Sequence, residues 1–312
     1  MKKYLILLSV AALALVSCAK VKDVYTGSPA SREITFSPLI LNATKSGAVS
    51  NATFPTAYHF YLAASVDSDV DYTFFGGTEY ANESGTTWSA VSGSKRYWPL
   101  NSETLNFLAV TKHGDDVVTF GENGLDYASK VVVAFTGNTP SSGVQHDLMY
   151  AYASSSDKTS NVSLVFNHAL AWVNFTVTSN LASGVTLTGI DLNAAYFGGT
   201  ATITSGGGVT WSSPQVASTG VTVPGISSPI SVPTTSSTPA ACGDGLLVVP
   251  HPTASSFSSF TVRYTINNEN FQVVCTPESM DLEPGHKYTY NINITLTEIK
   301  VTASVGDWSV DD

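Results

Sequence analysis

Charged residues are scarce in this chain of 312 residues. Lys, Arg, Asp and Glu together make up 12% of the sequence, and acidic residues outnumber basic ones, so the net charge is −10. A polyanion of this kind is a poor partner for nucleic acid or for an anionic lipid surface. Because disordered chains are normally rich in charge, this composition, with 43% hydrophobic residues, also argues against extensive disorder.

Cysteine is rare as well, with Cys18, Cys242 and Cys275 the three in the sequence. In an exported protein a disulfide between Cys242 and Cys275 is one alternative, because disulfides persist outside the cytoplasm. The other is a pair of buried free thiols, which suits Cys275 because it ends the strand-like stretch FQVVC. The sequence leaves both alternatives open, since it does not give the distance between the Cα atoms.

Sequence signatures of common enzymes and metal sites are absent. There is no G-x-S-x-G, H-E-x-x-H or C-x-x-C, and the histidines lack the spacing of metal ligands. The stretch DSDVD at 67–71 resembles the start of a calcium loop, but the Gly and Glu that such a loop requires further on are missing. We therefore predict that the protein is not an enzyme and has no cofactor and no metal site.

One long apolar run is present, at the N-terminus. Two lysines precede YLILLSVAALALV, which is shorter than the roughly 20 apolar residues of a membrane-spanning helix and is typical of a signal peptide. The sequence LVSC at 15–18 resembles a bacterial lipobox. We predict that residues 1–17 are a lipoprotein signal peptide, that Cys18 is lipidated, and that residues 18–32 form a tether. The mature chain then has a net charge of −12.

No stretch of the sequence has a sustained helical period. Short alternating or fully apolar runs lie between clusters of Gly, Asn, Ser and Pro, a pattern typical of an all-β sandwich. A polar break, SSSDKTSN at 154–161, divides the chain. The length and this break predict two β-sandwich domains, at 33–158 and 159–312.

Each end of the mature chain has a strand-like run whose apolar residues lie on one face. The N-terminal run, REITFSPLIL at 32–41, alternates at Ile34 and Phe36, and Pro38 within it favours an edge strand. The C-terminal run ends at Trp308 and alternates at Ile299, Val301, Ala303 and Val305.

Several short motifs occur one after another along the chain. They are the lipobox, the ITF strand beside a basic residue, YWP, DLMYA, VFNHALAWVNFTV, LLVVP and LEPGHKYTYNINI…ASVGDW. Together they resemble the fimbrillin-like family, the subunits of type V pili, over nearly the whole exported chain. The resemblance implies two transthyretin-like β-sandwich domains in tandem, export as an outer membrane lipoprotein, and a place in a fimbrium at the cell surface.

The resemblance also implies how subunits assemble with other pilus subunits. A protease removes an N-terminal strand, and the C-terminal strand of a neighbour fills the vacated groove in a head-to-tail polymer. A cut after Arg32 would release only the lipid, whereas a cut after Lys45, where the family typically has arginine, would also release the strand. The side chains on the removable strand are Ile34, Phe36 and Ile40. The donor-strand candidates are Ile299, Val301, Ala303, Val305 and Trp308.

A surface lipoprotein that binds a glycan or protein receptor without polymerising is the alternative function. Four aromatic residues would then form platforms for sugars, or they would fill the sandwich cores. These residues are Trp88, Tyr97, Trp98 and Trp211. A tip or minor subunit would combine both functions, and the sequence leaves stalk, tip and anchor roles open.

Overall fold

The structure is a computed structural model. It describes residues 32–43, 49–67, 69–82, 88–92, 95–99, 103–112, 114–121, 128–138, 145–182, 184–206, 208–217, 219–226, 228–251, 255–278 and 280–308. These residues form strands, turns and bends without a helix, which confirms the all-β prediction. Accordingly, the described ranges contain no helix of the length and apolarity that crossing a membrane requires.

The strands are numbered in chain order. They are β1 Phe36–Ala43, β2 Val49–Thr53, β3 Phe60–Val66, β4 Asp69–Ala81, β5 Ser89–Ala90, β6 Leu105–Thr111, β7 Val117–Phe120, β8 Lys130–Phe135, β9 Met149–Ser155, β10 Val162–His168, β11 Ala171–Ser179, β12 Val185–Asn193, β13 Tyr196–Thr204, β14 Val209–Val216, β15 Val221–Thr222, β16 Ile230–Ser231, β17 Ala240–Ala241, β18 Leu246–Val248, β19 Ser259–Ile266, β20 Glu269–Cys275, β21 His286–Ile294 and β22 Ile299–Asp307.

The first sandwich is one eight-stranded sheet, in the order β2-β1-β10-β9-β6-β3-β4-β5, folded onto itself. β10 meets β9 through the pairs Asn167–Tyr150 and His168–Met149 alone. This short junction divides the sheet into two leaves, β2-β1-β10 and β9-β6-β3-β4-β5. β1 and β10 of the first leaf pack over β3, β4 and β6 of the second, and side chains from both leaves form one aromatic-rich core. Burial of these rings, rather than continuous strand pairing, therefore holds the two leaves together.

β1 is not the edge strand that Pro38 predicted, since it lies between β10, to which it is parallel, and β2. The Thr35 carbonyl accepts a hydrogen bond from Val162 N, so the backbone N–H and C=O groups of Thr35 and of every second residue after it point towards β10. Pro38 is not one of these residues, so its nitrogen points away from β10. Pairing with β2 begins only at Leu39. Pro38 is tolerated in an internal strand because no neighbour requires a donor at this position.

The second sandwich packs the sheet β17-β11-β21-β22 against the sheet β15-β12-β19-β20, with β18 pairing β11 and β16 pairing β12. β11 and β21 run parallel at the centre of the first of these sheets. Every second side chain on both strands is buried, as the alternation in the sequence predicts. Phe175, Tyr290 and Phe260 meet in this core.

A four-stranded sheet, β14-β13-β8-β7, joins the two halves of the chain. It covers the outer face of the first sandwich, where Leu108 and Val110 pack against Val133 and Ile203 in a third core. Trp308, close to the C-terminus, belongs to this third core as well. The two halves therefore share a hydrophobic core.

The predicted domain boundary near residue 158 separates β10 from strands with which it pairs. β10 pairs with both β1 and β9. Its alternate residues Val162, Leu164 and Phe166 fill the first core. The polar break at 154–161 is thus a loop between two strands of one sheet, and the chain passes into the second sandwich between β10 and β11. The division into two independent domains stays a prediction.

Candidate strand-exchange site

β1 fills a groove in the first sandwich. Ile34, Phe36 and Ile40 are buried, and Phe36 is only 4% exposed. The Phe36 ring lies edge-on to three other rings, with centroids 5.0 Å from Tyr80, 5.7 Å from Phe107 and 6.4 Å from Phe60. Such edge-to-face contacts between rings stabilise the folded protein beyond the contribution of the apolar surface that the rings bury. β1 therefore supplies, together with β10, one side of an aromatic core.

The residues before β1 are paired too, which bears on the candidate cleavage site at Arg32. Ile34 N donates to the Arg96 carbonyl at 2.8 Å, and Trp98 N donates to the Arg32 carbonyl at 3.0 Å. The Arg32 side chain is exposed, but its carbonyl is held in this short antiparallel pairing. Proteolysis favours exposed, unpaired backbone, so cleavage after Arg32 first requires this pairing to open.

Lys45, the other candidate cleavage site, lies outside the described residues, as does Cys18. In the sequence Lys45 falls between β1 and β2, which pair antiparallel from Leu39–Thr53 to Ala43–Val49. A cut between these two strands would leave β1 attached to the rest of the sandwich by non-covalent contacts alone.

The candidate donor strand, β22, lies at a sheet edge. It pairs antiparallel with β21, and no other strand in the described part of the chain pairs with it. Ile299 and Val301 are half-buried against the second core, whereas Ala303 is exposed and Val305 is 58% exposed. β22 is thus a weakly buried edge strand rather than a core strand of its own sandwich.

Trp308 anchors the end of β22. Its side chain is 8% exposed and stacks on the His168 imidazole, with ring centroids 3.8 Å and planes 9° apart. His168 Nδ1 is in turn hydrogen-bonded to Asp147 at 2.5 Å, and Trp308 N donates to the Gly285 carbonyl at 3.2 Å. This weakly buried edge strand is therefore fixed at its C-terminal end against the third core.

Cys242 and Cys275 are buried free thiols, the second of the two alternatives raised by the sequence. They belong to opposing sheets of the second sandwich, because Cys242 follows β17 and Cys275 ends β20. Burial raises the pKa of Cys242 to about 12 and that of Cys275 to about 11. Both thiols therefore stay protonated at neutral pH, and a protonated thiol is a poor nucleophile.

We expect both core thiols to resist iodoacetamide in the folded protein at neutral and mildly alkaline pH and to react fully once the protein is unfolded. The raised pKa values delay thiolate formation until the pH is well above that at which an ordinary cysteine ionises. Mass spectrometry of full-length, non-lipidated protein measures this, with Cys18 in the predicted tether as the internal reference. Labelling of Cys242 or Cys275 as fast as Cys18, or a mass change on reduction, would contradict the assignment.

Three of the four aromatic residues considered as sugar platforms are core residues, whereas the fourth, Tyr97, is half-buried and its backbone pairs with Glu33. Trp98 and Trp211 are buried in the first and third cores. Trp88 packs on Phe54 and Phe60, with ring centroids 5.3 Å and 5.4 Å away. Core filling, the other alternative, therefore describes these three tryptophans.

An open cleft of about 320 Å³ lies beside β3 on the first sandwich, and sequence reasoning missed it. Its lining includes Tyr58, His59, Tyr61, Glu79, Lys112 and His146. A signal for it was present, because His59 and Tyr61 alternate with Phe60 and Leu62, which are buried in the first core. Two polar aromatic side chains must then lie on the opposite face of β3.

Comparisons with known proteins agree with this architecture. The chain is similar to a fimbrial protein from Bacteroides vulgatus, at a TM-score of 0.60 and 14% identity over 89% of this chain and 100% of that one. Proposed cell adhesion proteins from Bacteroides ovatus (TM-score 0.58, 16% identity, 91% and 100% covered) and Bacteroides uniformis (0.53, 18%, 91% and 100%) are also similar. At these identities the likeness concerns the fold. A comparison with curated proteins gave no match.

The fimbrillin-like family matches residues 49–308, which include every strand except β1. The family consists of structural fimbrial subunits rather than enzymes, in agreement with the prediction from the sequence. Because the match extends over most of the chain, this protein belongs to the fimbrillin-like family.

Proposed function

We propose that this protein is a subunit of a cell-surface pilus that assembles by donor-strand exchange. One observation carries the proposal: β1 fills an aromatic groove, while β22, with apolar residues at the same two-residue spacing, lies at an edge with half of them exposed. Membership of the fimbrillin-like family supports the pilus role.

Removal of β1 creates a strong acceptor site. The backbone N–H and C=O groups of β10 that pair with β1 lose their partners, and the rings of Phe60, Tyr80 and Phe107 lose Phe36. An unpaired edge beside an apolar groove takes up an extended strand from another chain. Burying one large apolar side chain contributes about 1.5–3 kcal/mol, so an incoming strand with several such residues binds favourably.

β22 has the spacing that this groove requires. Phe36, Pro38 and Ile40 are buried at every second position of β1, and Ile34, just before β1, continues this spacing. In β22, Ile299, Val301, Ala303 and Val305 lie at the same interval. The exposed Val305 gains burial on transfer, which favours donation. Donor and groove are different surfaces of one subunit, so the contact is head-to-tail, does not close, and builds a filament.

The lipid anchor belongs to the stage before assembly in this proposal. Cys18 is acylated, residues 18–32 tether the subunit to the outer membrane, and a cut after Lys45 then frees both the lipid and β1. Several acyl chains hold the precursor firmly, since each buried CH₂ contributes about 0.8 kcal/mol. A tip or minor position in the pilus suits a subunit that also binds a receptor.

Lys45→Ala should stop maturation of the subunit. Wild-type protein shed from the cells should begin at Ser46, whereas the variant should keep acylated Cys18 or begin at Glu33, because removal of β1 requires a cut between β1 and β2. N-terminal sequencing identifies the start, and SDS-resistant ladders report polymerisation. Lys20→Ala, in the tether, is the matched control and should mature normally. If Lys45→Ala is cut and assembles like the wild type, the processing site is elsewhere.

A further inference from the structure

The cleft beside β3 contains a network of charged and aromatic side chains that strand exchange does not use. Tyr61 of β3 and Glu79 of β4 are opposite each other in the strand register, so both side chains lie on the outer face of the sheet. Lys112 directly follows β6, the other neighbour of β3. Three adjacent strands of a rigid sheet therefore position the polar groups of the cleft.

The polar groups of the cleft hold one another in place. Glu79 accepts hydrogen bonds from His59 Nδ1 at 2.8 Å and from the Tyr61 hydroxyl at 3.0 Å. Lys112 Nζ donates to the Tyr61 hydroxyl at 3.3 Å and lies 5.2 Å from the centre of that ring. The hydrogen bond from His59 lowers the pKa of Glu79, which therefore remains an acceptor at neutral pH. A connected network of this kind is organised before any ligand arrives.

Lys112 and Glu79 can each make further hydrogen bonds, to a ligand in the cleft. Lys112 has three N–H groups and uses one on Tyr61, and each oxygen of the Glu79 carboxylate accepts more than one hydrogen bond. Glu79 and Lys112 have opposite charges that cancel, so these two groups together give neither an anion nor a cation a net electrostatic advantage. In the described residues no group of His, Cys, Asp and Glu side chains is suited to hold a metal ion.

We propose that this cleft binds a neutral saccharide of one or two pyranose rings. Sugar hydroxyls both donate and accept hydrogen bonds, which matches a carboxylate next to an ammonium group, and the apolar C–H face of a pyranose packs against tyrosine rings such as Tyr58 and Tyr61. A volume of about 320 Å³ is at the lower end of the roughly 300–1,000 Å³ of small-molecule sites. The proposal does not depend on strand exchange.

Saturation-transfer NMR on the full-length, unassembled protein tests the proposal, with methyl galactoside and N-acetylglucosamine as neutral probes and glucuronic acid as the acidic one. Glu79→Gln and Lys112→Gln keep the side-chain volume and should each weaken binding of a neutral probe about tenfold or more, the effect of losing a hydrogen bond to a charged group. Lys95→Gln, whose ion pair with Glu33 is not part of the cleft, should bind like the wild type.

The unfolding midpoints of the variants serve as the folding control, and Lys112→Gln, just outside β6, is the variant less able to disturb the sheet. Binding of at least one neutral probe, weakened by both substitutions and kept in Lys95→Gln, supports the site. Two results overturn it: no neutral probe binds, whether or not glucuronic acid does, or either substitution leaves binding of the neutral probes unchanged. None of these results bears on polymerisation, because the protein is measured before assembly.

Discussion

Val305→Asp should block polymerisation of the processed subunit while leaving the monomer as stable as the wild type. Val305 is 58% exposed in the monomer, so a carboxylate at this position stays in water, and the free energy of unfolding should change by no more than about 0.5 kcal/mol. In the proposed polymer the same side chain enters an apolar groove. An unpaired buried carboxylate costs several kcal/mol, so ladder formation should slow at least about a hundredfold.

Ser304→Asp is the matched control for this experiment. It introduces the same charge one residue away, on the opposite face of β22, and should polymerise like the wild type. Deleting residues 299–312 should abolish donation altogether, but the deletion also removes Trp308 from the third core. The point substitution is therefore the sharper test. Normal ladders from Val305→Asp would show that Val305 does not enter the groove.

Phe36→Ala should lower the free energy of unfolding by about 3–5 kcal/mol, the usual loss when a buried aromatic side chain is truncated. Phe36 is 4% exposed and contacts three rings from three other strands, which are too constrained by their own sheet to close the cavity. Urea denaturation followed by tryptophan fluorescence measures the change. The same loss should speed release of β1 after cleavage, since β1 would then be held by non-covalent contacts alone.

Ser37→Ala provides the comparison for Phe36→Ala within the same strand. Ser37 faces away from the first core and accepts a hydrogen bond from Asn161 at 3.2 Å, so its truncation should cost less than about 1 kcal/mol. If Phe36→Ala is no more destabilising than Ser37→Ala, β1 does not contribute to the core of the folded subunit in solution.

The strands with alternating sequence patterns were predictable. In YTYNINI, at 288–294, tyrosine and isoleucine alternate with threonine and asparagine, and in β21 the former are buried while the latter are half-exposed. The change of phase near His168 marks the point at which β10 ends and β11 begins. Both signals are local, because side chains one residue apart point to opposite faces of a strand.

Pairing between strands was the part that local patterns missed. Pro38 and the polar break at 154–161 each had a sound local interpretation, yet β1 pairs with β10, and Thr35 bonds to Asn161, 126 residues further along the chain. The cleft was missed for the same reason, because Tyr61, Glu79 and Lys112 come from three separate segments. No local periodicity carries information about partners so far apart.

The sequence by itself determined that this chain is all-β and which face of β1 and of β22 is apolar, because hydrophobic residues at every second position define one side of an extended strand. Only the tertiary structure decided that the apolar face of β1 is sealed inside an aromatic core while that of β22 lies half-exposed at a sheet edge. Burial depends on the neighbours that a strand finds, and contacts between distant parts of the chain select those neighbours.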